Sequence, residues 1–224
     1  MTDESSLLEL AETLPTVQRL ALAYAPRAAR VPTLALMALD QRLARVLSAT
    51  SEPIAAQLRL AWWRDTLRGG LAAKAPDPLL TALNAWQGRE TALIGLVDAW
   101  EEMLVEAPAP ENVLEGVAMA RGASFAALAD LLGCNDAAGE SAHKAGSLWA
   151  FADLAAGLGD KDERTACLSR ARSIVLPVER LPRQLRPLAV LSGLGARSIV
   201  KGRVSLLAGP VDMMVAMRIG MTGR

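Results

Sequence analysis

An all-α fold is what this sequence predicts, and three observations carry the prediction. Ala and Leu dominate a chain of 224 residues that is 52% hydrophobic but only 4% aromatic. Apolar positions recur at three- and four-residue steps, and no run alternates polar and apolar residues as a half-buried strand would. Pro and Gly fall between the periodic stretches, where helices start and stop. The length suits one large core, and no linker-like change of composition divides residues 1–224, so a single domain is expected.

Taken in order, residues 5–13 and 16–25 predict two short helices separated at Pro15. Ala25-Pro26 restarts the chain, and a helix is expected over 27–47, with Leu36, Leu39, Leu43 and Val46 at helical spacing. Residues 51–68, SEPIAAQLRLAWWRDTLR, form the most distinctive stretch. Ser51 suits an N-cap, Pro53 suits a first turn, and Gly69-Gly70 suits a stop. Ile54, Leu58, Ala61 and Trp62 share one face, and Ala56, Leu60, Trp63 and Leu67 share another. A helix apolar on two faces is normally enclosed by neighbours. Adjacent tryptophans diverge by about 100° on a helix, so this is expected to be the central helix, with Trp62 and Trp63 both buried. Arg59, Arg64 and Asp65 would be polar groups on that rod.

After the break at Ala75-Pro76-Asp77-Pro78, helices are expected over 79–86, 89–106, 111–132 and 136–158, the last two ending at Gly133 and Gly159. In 89–106 the buried stripe is Leu93, Leu96, Trp100 and Leu104. Asp160-Lys161-Asp162-Glu163 opens another helix with carboxylates at the positive end of its dipole. A short extended piece over 173–177 precedes a helix over 182–200, where Gly193, Gly195 and Gly202 suit close packing and turns. Pro210 begins a final segment whose Met213, Met214, Met217 and Met221 suit core packing or, alternatively, an adaptable binding or membrane surface.

The zero net charge hides an asymmetry. Residues 1–163 hold 13 Lys and Arg against 22 Asp and Glu, whereas residues 164–224 hold 11 against 2. A basic last third can pack on an acidic remainder, or face an anionic lipid, a diphosphate or an acidic partner. Zinc spacing, a basic recognition helix and aromatic interleaving are all missing, so nucleic acid is not an expected partner. Neither a secretory leader nor an 18-residue apolar run is present, and a cytoplasmic location is expected. Cys134 and Cys167 form no CxxC pair and are expected as buried thiols. His143, the one histidine, has no ligand or nucleophile at informative spacing and is read as satisfied or solvated.

The run Ala38-Leu39-Asp40-Gln41-Arg42-Leu43-Ala44-Arg45-Val46, then Ser51-Glu52-Pro53 and Leu58-Arg59-Leu60-Ala61-Trp62-Trp63-Arg64, resembles the squalene/phytoene synthase family. It is most similar to the divergent branch that includes a mitochondrial complex I assembly factor. Gly146-Ser147-Leu148-Trp149-Ala150 and Val175-Leu176-Pro177 ahead of Arg180-Leu181-Pro182 add to the likeness, which covers most of the chain. It implies the trans-prenyl synthase bundle, built around a central cavity. The family condenses two prenyl diphosphates head to head. Two Asp-rich motifs on facing helices hold Mg²⁺ there, because a diphosphate leaving group needs its charge neutralised by a hard cation.

Here the positions matching the first motif's carboxylates are Ala44 and Ser48, and Arg45 replaces another Asp. Those matching the second motif's Asn, Arg and Asp are Asp153, Ala156 and Gly157. The resemblance therefore implies a non-catalytic relative, without cofactor, that binds a partner protein or an apolar isoprenoid or lipid. By analogy it would serve complex I assembly at the inner membrane, touching that membrane through its basic third. The residues implied around the cavity are Asp40, Ala44, Arg45, Ser48, Arg59, Trp62, Trp63, Asp153 and Gly157. The alternative is a working prenyl diphosphate transferase, with Mg²⁺ held by displaced carboxylates: Asp40, and Asp153, Asp160 or Asp162. Arg45 and Arg59 could also take a phosphate without metal, against ion pairing inside the bundle.

Overall fold

A computed structural model describes residues 4–49, 52–69, 77–174 and 180–223. All regular structure among them is helical. Eleven α-helices are described: α1 (Glu4–Glu12), α2 (Thr16–Leu22), α3 (Arg27–Ala49), α4 (Pro53–Arg68), α5 (Pro78–Leu83), α6 (Glu90–Glu102), α7 (Glu111–Leu131), α8 (Asp136–Gly157), α9 (Lys161–Ser173), α10 (Arg186–Val200) and α11 (Pro210–Thr222). Single 3₁₀ turns, Asn84–Trp86 and Arg183–Leu185, lead towards α6 and into α10. The expected extended piece falls largely on residues 175–177, outside the described residues, as do Ser51 and Gly70.

Local chemistry accounts for most boundaries. Asp77, Asn135 and Asp160 each accept a backbone N–H at the start of α5, α8 and α9, satisfying amides that have no partner within the helix. Gly133, at φ +71°, turns the chain out of α7. The helix expected to reach 106 stops at Glu102, because Met103 and Leu104 bond three residues back and tighten the last turn.

The enclosed helix is α8, not α4. Every residue from Ala145 to Ala152 is buried, and α7, α9 and α10 pack around it. Small residues let α7 approach closely. A Cβ on Gly122 would collide with Ser147 Oγ and fall 2.7 Å from the His143 carbonyl oxygen, and a Cβ on Gly146 would lie 3.0 Å from Gly122 Cα. One continuous apolar cluster runs from Leu10 in α1 to Ile219 in α11.

The expectation of a doubly buried α4 fails. Ala56, Leu60, Trp63 and Leu67 are buried against α3 and α6, but Ile54, Leu58 and Trp62 are 71%, 68% and 51% exposed. The two indoles meet edge to face, with ring centres 4.9 Å apart, so Trp63 turns inward while Trp62 stays outside. Arg64 fixes the helix laterally: its Nε donates to Asp98 Oδ1 at 2.6 Å, and its Nη2 donates to Glu101. Asp65 is exposed.

The last two helices pack through glycine. Gly193 faces Ile219, Gly195 faces Ala152, and Gly220 lies against the Tyr24 ring. The turn between α10 and α11 closes on buried Asp212, which accepts from Arg197 Nε (2.7 Å), Arg203 Nη2 (2.9 Å) and the Ala208 amide (3.0 Å). Arg203 and Arg197 hold that carboxyl well below the usual carboxylate range. The methionines are not core: Met214 and Met221 are 67% and 71% exposed, and Met217 is exposed beside them. Cys167 is a buried free thiol, pushed up to about 11 by burial and then by Glu163 and Glu111, whereas Cys134 is only half-buried. Among the described residues no helix is long and apolar enough to cross a membrane.

Candidate functional site

Four helices converge on one buried guanidinium. The α7/α8 crossing at Gly122 and Gly146 brings Arg121 and Phe125, one turn apart on α7, against Trp149 and Asp153, one turn apart on α8. Asp40 reaches in from α3 and Trp100 from α6. Arg121 Nε donates to Asp40 Oδ1 at 2.9 Å, and its Nη2 lies 2.9 Å from Asp40 Oδ2. Its Nη1 donates to Asp153 Oδ2 at 3.0 Å. Trp100 Nε1 also donates to Asp40 Oδ1, at 2.8 Å. Arg121 Cζ lies over the Trp100 ring, 5.2 Å from its centre, and over the Trp149 ring, 5.1 Å from its centre, so the cation meets two indole faces. Phe125 meets Trp149 edge to face at 5.7 Å.

Electrostatics explain why arginine sits here. Its guanidinium is more weakly hydrated than an ammonium and is planar, so it can bond carboxylates along its edge and still lie against aromatic rings. Burial opposes its charge, but Asp40 and Asp153 outweigh that and hold the guanidinium above its ordinary pKa. The two acids differ. Asp40 is 4% exposed and accepts from two elements, while Asp153 keeps 26% of its side chain in contact with solvent. Burial raises the Asp153 carboxyl above its usual range; Arg121 opposes the shift and Asp40 adds to it.

These residues do not fit Mg²⁺. That ion needs near-octahedral oxygen ligation and usually keeps several waters. Both Asp40 oxygens and Asp153 Oδ2 face the guanidinium instead, and the cavity left between Met37, Leu96, Arg121 and Trp149 holds only about 10 Å³. Among the described residues no three acidic, histidine or cysteine side chains cluster as a metal site.

Of the residues expected around the cavity, only Asp40 and Asp153 belong to this site, joined through Arg121. Ala44 is half-buried, one turn further along α3. Arg45 is exposed and donates to the Thr13 carbonyl at 2.6 Å, tying α3 to the end of α1. Ser48 is exposed and bonds the Arg45 carbonyl. Arg59 and Trp62 lie on the outer side of α4, Trp63 is buried near the Arg42 guanidinium, and Gly157 ends α8 in solvent. Asp160 caps α9. His143 and Lys144 line an open groove over α7 and α8 that is solvated rather than a built site.

Arg121 is the residue that sequence reasoning missed. It is the sole charge between Glu115 and Asp130 in an otherwise apolar stretch of α7, which is the one signal that could have singled it out. Compared with protein-family models, curated proteins and solved structures, the chain has no match.

Proposed function

We propose that this chain is a non-catalytic squalene/phytoene synthase-like protein that acts by binding, in the manner of a respiratory complex I assembly factor at the inner membrane. The observation that carries this reading is Arg121, whose guanidinium stands between Asp40 and Asp153 and occupies their carboxylate oxygens. An interior filled by Arg121, Trp100 and Trp149 favours a protein partner on the surface over an isoprenoid inside. The exposed stripe Ile54, Leu58 and Trp62, at four-residue steps on α4, suits the apolar side of a partner helix.

The test is Mg²⁺-dependent release of diphosphate from farnesyl or geranylgeranyl diphosphate by the purified protein. No release is expected. Turnover that Asp40→Ala or Asp153→Ala abolishes would overturn the reading in favour of a prenyl transferase.

A further inference from the structure

Between residues 180 and 223 the chain holds seven Arg and Lys but a single acid, Asp212. That acid is buried and taken by Arg197 and Arg203. Arg180, Arg183 and Arg186 are left together where the 3₁₀ turn enters α10, and no carboxylate among the described residues pairs with them. Arg180 Nη2 donates to the Thr222 carbonyl at 3.3 Å, which sets the cluster beside the C-terminal end of α11. Arg186 opens α10, 9% exposed, and its Nη1 is buried without a hydrogen-bond partner. Gly223 lies against that nitrogen, where a Cβ would collide with it. Burial, then Arg180 and Arg183, pull the Arg186 guanidinium below its ordinary value. Like charges gathered with no counter-ion among the described residues, one of them desolvated, at a helix N-terminus whose amides also favour negative charge, make an anion site.

The apolar stripe of α11 identifies the anion's source. Val211, Met214, Met217 and Met221 are exposed along this helix and end at Thr222, where Arg180 is bonded. Arg218 is exposed among them, and α10 and α11 hold no exposed acid. A cationic pocket continuous with a flexible apolar ridge matches a phosphate head group with acyl chain beneath it. We infer that Arg180, Arg183 and Arg186 bind the phosphate of an anionic membrane lipid while Met214, Met217 and Met221 enter the head-group boundary. This rests on the surface of α10 and α11 and not on the prenyl-synthase reading, so a turnover result leaves it standing.

The experiment is co-sedimentation of the full chain with vesicles of phosphatidylcholine alone or of equal parts phosphatidylglycerol and phosphatidylcholine. Binding is expected only to the anionic vesicles. The Arg180→Gln/Arg183→Gln double variant, at two exposed positions, should weaken it by about five-fold per arginine, with an unchanged melting temperature. Met221→Glu should weaken it independently. Equal binding to both vesicle types, or a double variant that binds as wild type does, would overturn the inference. A melting-temperature rise with inorganic phosphate, lost in the double variant and without vesicle binding, would also contradict the lipid source and assign the pocket to soluble phosphate.

Discussion

Arg121 holds two carboxylates and two indole faces on a side chain that is 3% exposed. Replacing it by Met keeps much of the volume but leaves Asp40 and Asp153 facing each other uncompensated. Arg121→Met should lower stability by about 3–5 kcal/mol at neutral pH, and the deficit should shrink in acid, where Asp153, whose charged form burial already opposes, protonates. Denaturant unfolding at two pH values measures this; an equal deficit at both would mean that packing, not charge, is lost. Asp153 behaves differently because burial already opposes its ionised form. Its folded pKa lies above the unfolded one, so its contribution is present below about 4 and is lost as pH rises through the folded value. Asp153→Asn should therefore cost little at neutral pH and flatten that part of the stability profile. Asp40 and Asp153 were among the four acids that the sequence singled out, with Asp160 and Asp162. Their partner was not singled out, because Arg121 lies 81 residues from Asp40 along the chain, and a lone arginine on a helix usually reaches out to solvent.

Helix limits were the most legible feature at the scale of elements, since Pro, Gly and Asx side chains act within a turn of themselves. Pro53 opens α4, Asp160 caps α9, and Gly133 closes α7, as their chemistry predicts. Which face of a helix is covered depends on distant neighbours. The two apolar faces of α4 therefore pointed to enclosure, whereas α3 and α6 cover only one of them. The enclosed helix, α8, advertised itself less, because alanine and glycine rather than large residues let its neighbours approach. That close approach is testable by one substitution at two places. Gly122→Ala forces a Cβ against Ser147 and the α8 backbone and should cost about 1–3 kcal/mol. Gly139→Ala, on α8 with nothing within 4 Å, should instead stabilise by about 0.4–1 kcal/mol through the unfolded chain. Thermal melts of the two variants should move in opposite directions.

For the molecule as a whole, the charge asymmetry of the sequence is resolved unevenly. Part of the basic third is spent internally, with Arg197 and Arg203 on Asp212 and Arg170 on Glu115 of α7. The remainder, around Arg180, Arg183 and Arg186, meets no acid among the described residues, and Arg180 and Arg183 are exposed near the end of α11. The interior has gone the opposite way, setting the Arg121 cation between Asp40 and Asp153. That internal guanidinium in place of a bound dication is the claim on which the proposed function turns. Titration of the wild-type protein with Mg²⁺ and Mn²⁺, followed by calorimetry and by melting temperature, tests it most directly. No heat of binding and no change in melting temperature are expected. A saturable metal-dependent rise in melting temperature that Asp40→Asn or Asp153→Asn removes would contradict it.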